Sequence, residues 1–259
     1  VKRVVVLCVM LMAFYIWVIE VAGDETEGTK KVAIIIDDFG HGLEGTEEIL
    51  SLDIPLTVAV MPFGPHTQEE AIMAYENGHE VIVHLSMEGR PGTSRQLGEG
   101  AITTHMSNDE IQDRVHEAID DVPHAVGINN HMGSVATEDE RVMQQVLSVL
   151  QDRGLMYVDS KSNYFSVAPD VAEELGVPIV ENHIFLDDVA NVGHIRSQCH
   201  AIKQRLEENE ECVAIGHVGR PGKETATALR QWIEEVDDDV EFVTVSELVP
   251  EFRWIHHGM

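Results

Sequence analysis

Positive charge is scarce in this sequence: 17 lysines and arginines stand against 46 aspartates and glutamates, giving a formal net charge of −29 at pH 7 with histidine neutral. A chain this acidic lacks the basic surface that phosphate backbones require, which excludes nucleic acid as a partner. The acids are spread along the chain, as in a solvated coat that keeps a protein soluble. Cysteine is also scarce. Cys8, Cys199 and Cys212 are the whole set, and the last two lack the short spacing of a cysteine metal cluster. They read as two free thiols, with a mutual disulfide as the alternative. Aromatic residues are only 5% of the chain, so no long sugar-stacking groove is advertised.

Long apolar runs are missing everywhere except residues 4–19, which follow Val1-Lys2-Arg3 and give way to a polar stretch at 23–31. That is the layout of a signal peptide. The run falls short of the ~20 apolar residues that comfortably span a bilayer, so an uncleaved anchor is the second reading. Residues 1–28 are accordingly read as a signal peptide or N-terminal membrane anchor with its linker, and 29–259 as one domain. The expectation is an exported protein, extracellular or associated with the cell envelope, with membrane association only through the N-terminal segment.

Within the domain, short β-branched apolar runs recur at 32–36, 56–61, 80–85, 125–129, 155–158, 177–184, 212–215 and 241–245. Stretches with helical spacing separate them, at 44–52, 67–77, 107–120, 138–153, 168–175, 193–209 and 223–235. Continuous apolar strands alternating with amphipathic helices imply a parallel sheet covered by helices or closed on itself. The fold class is therefore α/β, a distorted or incomplete barrel of about seven parallel strands. Ser107 with Glu110, and Thr137 with Glu140, have the spacing of capping boxes. Gly78, Gly154 and Gly176 fit as helix terminators.

Ligands of parallel α/β domains bind beyond the carboxyl ends of the strands. There the sequence places Asp37-Asp38-Phe39-Gly40, His84 with Glu88, Asn129-Asn130-His131-Met132-Gly133-Ser134, Asp159-Ser160, Asp187-Asp188 and His217. Two adjacent carboxylates repel unless a cation or a shared proton relieves them, which points to functional use of Asp37 and Asp38. An Asp at a strand end also caps the following helix in many proteins, and that reading stands beside the functional one for Asp159 and Asp187-Asp188. Neither Ser86 nor Ser160 lies in a Gly-x-Ser-x-Gly elbow, which argues against a serine nucleophile.

The set of strand-end motifs between residues 31 and 248 resembles the NodB-like polysaccharide deacetylases, and more closely their divergent polysaccharide deacetylase branch. Asp37-Asp38-Phe39-Gly40 looks like the Asp-Asp-Gly strand end of the main group with one residue inserted. Gly78-His79-Glu80-Val81 followed by His84 is similar to the stretch that leads into the first metal histidine, and Ala214-Ile215-Gly216-His217 to the strand of the catalytic histidine. Asn130-His131-Met132-Gly133-Ser134, Asp159-Ser160 and Phe185-Leu186-Asp187 resemble the divergent branch. Two departures stand out. Glu88 occupies the place of the second metal histidine, and an Arg-Pro-Pro segment that orients the base is absent, with Asn129-Asn130-His131-Met132 where it would fall.

The resemblance implies a metal-dependent hydrolase that removes acetyl groups from a polysaccharide or oligosaccharide. It implies a divalent metal, Zn²⁺ by default, on Asp38 and His84; His131, on the strand next to that of His84, is read as the replacement for the missing histidine, with Glu88 as competing ligand. It also implies Asp37 as the base that deprotonates water and His217 as the acid, with Asp159 holding that histidine. A backbone amide of the Met61-Pro62-Phe63 loop or of the Gly133 loop would face the oxyanion. The alternatives are a non-catalytic glycan-binding or envelope-assembly protein on the same scaffold, and hydrolysis of some other amide or ester.

Overall fold

The computed structural model describes residues 29–90 and 97–249. The export segment read at 1–28 lies outside them, and among the described residues no helix is long and apolar enough to cross a membrane. The strands are β1 (Lys30–Phe39), β2 (Thr57–Val60), β3 (Glu80–Met87), β4 (Ala125–Met132), β5 (Met156–Asp159), β6 (Ile179–Glu181), β7 (Ile184–Phe185), β8 (Glu211–His217) and β9 (Val240–Val243). The helices between them are α1 (Thr46–Leu50), α2 (Thr67–Glu76), α3 (Asn108–Asp121), α4 (Glu140–Arg153), α5 (Ala168–Leu175), α6 (Val192–Leu206) and α7 (Gly222–Ile233).

The sheet runs β6-β5-β4-β3-β2-β1-β8-β7, with every neighbouring pair parallel. What the sequence presents as one strand over 177–184 is broken in two, and the break closes the circuit. Asn182 N donates to Asp159 O on the β5 side, and His183 N donates to Val213 O on the β8 side. β6 and β7 therefore act as one bent strand joining the two edges, and the result is the expected distorted barrel. β9 pairs with Lys30–Ala33 of β1 while β2 takes the upper part of that same strand, Ile35–Phe39.

Because successive strand side chains point to opposite faces, the barrel has two apolar layers. Ala33, Ile35, Ala59, Ile82, Met156, Val158, Val213 and Ile215 fill the interior, with Val245 and Val249 closing it from below. The alternate residues, such as Ile34, Ile36, Val81 and Val83, pack outward with buried side chains of the helices, including Ile111, Val146 and Leu229. Deleting several methyl groups from such a sealed layer costs about 2–5 kcal/mol per large-to-small change.

Helix α3 begins with the expected reciprocal cap: Glu110 N donates to Ser107 Oγ, and Ser107 N donates to Glu110 Oε2 at 2.8 Å. The second expected box does not form. Asp139 caps α4 instead, accepting from Val142 N at 3.0 Å, because the Thr137 hydroxyl is bonded to Gly133 O at 2.9 Å. Gly154 and Gly176 end α4 and α5 in the left-handed region, at φ 66° and 68°, where a Cβ would be strained. Cys199 and Cys212 are both buried and free. Burial pushes each thiol up to about 12, so the free-thiol reading describes this structure and the disulfide alternative does not.

Candidate metal centre

The same alternation that builds the interior layer also delivers its chemistry. Reading upward along inward-facing positions, β1 gives Ala33, Ile35 and Asp37, β3 gives Ile82, His84 and Ser86, and β8 gives Val213, Ile215 and His217. Each strand is apolar at depth and polar at its carboxyl end. Asp37 and His217 are register partners across β1 and β8, as are His84 and Asn129, and Ser86 and His131, across β3 and β4.

Asp38 follows Asp37 directly and in a regular strand would face the helices. Two features turn it inward. The β1–β2 register slips between Ile36 and Phe39, the signature of a bulge, which re-aims a side chain. Asp38 itself sits at φ 71°, a left-handed conformation that Asp tolerates better than most residues. The loop that follows is fastened from α2: the buried Glu70 carboxylate accepts from Gly40 N and, at 2.9 Å, from Gly42 N.

His84 Nε2 and His131 Nδ1 lie 3.0 Å apart, and each is 3.3 Å from Asp38 Oδ1. Two ring nitrogens and a carboxylate oxygen thus converge, the donor set zinc takes in catalytic sites. Metal–ligand bonds of 2.0–2.1 Å in tetrahedral array imply ligand–ligand edges of about 3.3–3.4 Å, close to the separations found. The electrostatics agree. Burial opposes a charge on His84, but the Asp37 and Asp38 carboxylates outweigh it and push the imidazole above its ordinary value. Burial would raise Asp38, yet its bonds to His131 and His84 hold it well below the carboxylate range. A field that draws a proton onto His84 also draws a cation, so the residues fit a divalent metal.

Asn129 joins this cluster to Asp37. Its amide nitrogen donates to Asp37 Oδ1 at 2.7 Å, which leaves its carbonyl oxygen facing His84 Nδ1, also at 2.7 Å. Nδ1 therefore donates, and the Nε2 lone pair is turned toward Asp38 and His131. Such partners fix the tautomer and orientation of a ligating histidine. Asn129 stands where the resemblance leads one to expect a cationic segment, and as a neutral residue it orients both groups without adding charge. Asn129→Ala is expected to weaken divalent-metal binding about 10- to 100-fold, read by competition against a chromophoric chelator. Unchanged affinity would show that His84 is oriented without it.

His217 has a different partner from the expected one. Its Nδ1 bonds to Asp187 Oδ1 at 2.7 Å, while Asp187 Oδ2 accepts from His217 N at 2.7 Å and from Thr225 Oγ1 at 2.8 Å. Asp187 follows β7, the direct neighbour of β8. Asp159 belongs to β5, where Met156 and Val158 face the interior, so its side chain points to the other face and accepts from Lys161 N at 2.8 Å. Asp159 ends β5 and holds the turn that follows it. Burial works against a charged His217, but the bond to Asp187 and the nearby Asp37 and Asp38 charges prevail and push it to about 9.

Two further expectations are corrected. Glu88 is not among the converging ligands: its Oε2 accepts from Thr104 N at 2.7 Å and Thr104 Oγ1 at 2.8 Å, pinning the loop before α3. Of the amides offered for an oxyanion, those of the Met61-Pro62-Phe63 loop and that of Gly133 are already engaged. Met61 N donates to Phe39 O, Gly133 N to Met87 O, and Phe63 N to Asp121 Oδ2, and Pro62 has no N–H. Ser160 Oγ donates to Asn130 O at 2.9 Å, which ties β5 to β4.

Fold and cluster together define a parallel α/β barrel with a His/Asp metal-type set at the carboxyl ends of its strands. The sequence model of the divergent polysaccharide deacetylase family matches residues 34–249, and the chain belongs to that family. It is 36% identical to the uncharacterised protein YibQ of Escherichia coli (strain K12) over 221 residues, which cover 85% of this chain and 68% of that one. An uncharacterised protein of Haemophilus influenzae is 31% identical over 218 residues, 84% of this chain and 76% of that one. Among solved structures, the protein ATU2773 of Agrobacterium tumefaciens C58 shares the fold with a TM-score of 0.79 at 20% identity, covering 87% of this chain and 91% of that one.

Proposed function

We propose that this protein is a metal-dependent hydrolase that removes acetyl groups from a carbohydrate. The observation that carries the reading is the convergence of Asp38, His84 and His131 beside a buried carboxylate, Asp37, and its register partner His217, a carboxylate-bound imidazole. A divalent cation, zinc in this reading, would be held by that triad and supplies Lewis acidity toward the acetyl carbonyl and the attacking water.

The remaining chemistry belongs to the chain. Burial holds the Asp37 carboxyl above its ordinary value, with His84 and His217 pulling the other way. A raised carboxyl is a stronger base, suited to taking the proton of the attacking water. Asn129 keeps that carboxylate in place. His217 keeps Nδ1–H on Asp187 and offers Nε2–H to the leaving amine or alkoxide. The same proposal places the activity in an exported protein at the cell envelope or outside, on the strength of the apolar segment at 4–19; subcellular fractionation of the full chain checks it.

The test is acetate release by the zinc-loaded full chain from N-acetylated and O-acetylated oligosaccharides. Asp37→Asn is expected to lower the rate about 10²- to 10⁴-fold while metal content stays unchanged. Full activity in Asp37→Asn would remove the base from the mechanism. Wild-type protein that holds metal and binds oligosaccharide without releasing acetate would put the non-catalytic glycan-binding scaffold in first place.

A further inference from the structure

The rim of the barrel above the cluster exposes aromatic surface that the reaction leaves unused. Tyr164 is 97% exposed and Phe165 73%, on the loop between β5 and α5. The other large apolar side chains left exposed among the described residues are Val189, also on this rim, and Ile72 and Tyr75 of α2. Tyr75 has a partner, stacking on the His124 ring at 3.9 Å.

The Tyr164-Phe165 loop is not loosely held. At its start, Ser160 donates to Asn130 through both N and Oγ, each at 2.9 Å. At its end, Val167 N donates to Thr137 O at 2.8 Å. Between them Asn163 is buried: its Oδ1 accepts from Phe165 N at 2.6 Å and its amide donates to Thr137 Oγ1 at 2.8 Å. Both anchors lie in 130–137, the segment that carries His131. Two rings are thus displayed on a frame fixed to a ligand-bearing strand, and rigid display lowers the ordering cost of binding. Large apolar groups that a fold fastens in an exposed position mark a contact surface.

We infer that Tyr164 and Phe165 form a stacking platform for the sugar units that flank the one entering the metal centre, so that the ligand is an uncharged acetylated oligosaccharide and not a single sugar. This rests on the acetyl-hydrolase reading and narrows its substrate class. The apolar C–H face of a pyranose packs on a flat ring while its hydroxyls stay in water, which suits rings at a wet rim. The charge pattern selects the sugar. Lys161, the cation of this loop, is paired with Glu181 at 2.5 Å, and a chain with net charge −29 repels polyanions. The same charge disfavours the anionic lipid surface that exposed aromatics otherwise suit.

The experiment compares the full-length wild type with the Tyr164→Ala/Phe165→Ala double variant, an aromatic-retaining Tyr164→Phe/Phe165→Tyr double variant, and Tyr75→Ala as an exposed control away from the rim. Acetate release is measured on the N-acetylglucosamine hexamer and on N-acetylglucosamine itself, with hexamer binding by calorimetry. The expected result is that the alanine pair lowers the hexamer-over-monomer preference in kcat/KM by about tenfold or more, through KM, while the aromatic pair and the Tyr75 variant keep it. An unchanged preference in an active protein overturns the platform and leaves the hydrolase reading standing. Wild type that neither binds the hexamer nor releases acetate from it overturns both. Loss of binding to phosphatidylethanolamine/phosphatidylglycerol vesicles in the alanine pair, with hexamer kinetics intact, assigns the rings to a membrane and overturns the sugar platform.

Discussion

Elemental analysis of the purified full chain is expected to return about one equivalent of divalent metal, and less than about a tenth of that after either His84→Ala or His131→Ala. The two variants probe one centre from opposite sides. His84 is buried and bonded to Asn129, so its removal also orphans a buried carbonyl and tests ligation together with packing. His131 is partly exposed, and its loss leaves the interior layer intact. A thermal melt beside each analysis separates a metal-free fold from an unfolded chain. Metal affinity should also fall as the solution is acidified, since His84 binds protons in competition with the ion, and the flanking carboxylates raise it above an ordinary imidazole. Retention of a full equivalent by both variants would move the metal elsewhere.

Asp187→Asn is expected to lower acetate release at neutral pH by about 10²-fold or more and to shift the alkaline limb of the pH–rate profile downward. The sign follows from the role of His217. An acid must carry its proton, and burial alone would depress that proton's pKa, whereas Asp187 heads the influences that push it to about 9. The wild-type acid is therefore present up to roughly that pH and is lost above it. With a neutral amide at 187 the first of the upward influences is lost and only the Asp37 and Asp38 charges still oppose burial, so the limb moves down toward the ordinary histidine range, and the amide N–H also disfavours the Nδ1–H tautomer. Thr225→Val, which removes the 2.8 Å bond to Asp187 Oδ2 but leaves the carboxylate and its charge in place, should move the limb far less than Asp187→Asn. Superimposable profiles for wild type and Asp187→Asn would mean that His217 is not the group delivering the proton.

What could be read in the sequence was what depends on local periodicity. Apolar strands ending in Asp37, His84, His131 and His217 follow from the alternation of faces along each strand, and helices such as α5 follow from their own spacing. What could not be read depends on closure and on competition. Asp159 and Asp187 both end strands, and only the bent β6–β7 segment, which seals β5 to β8, decides which of them stands beside His217. Glu88 has the right spacing for a ligand, but a loop remote in sequence supplies Thr104 and takes its carboxylate. Thr137 has the spacing of a cap, yet Gly133 O engages its hydroxyl first. The role of Asn129 had a signal that was available, an amide where the resembling family carries a cation. The double use of that amide appears only once β1, β3 and β4 are in register.

The shared edge of β1 has a consequence for how the molecule can be held. β9 covers the lower part of that strand, and the turn after it runs beneath β2 and β3, where Val245 N bonds to Thr57 Oγ1 and Ser246 N to Glu80 Oε1. The described chain therefore enters at Lys30 and leaves at Val249 on the same side, at the floor of the barrel, with the histidines at its ceiling. A surface, a bead or a second protein joined at Lys30 or at Val249 would hold the barrel from below, and the mouth would stay turned toward open solution.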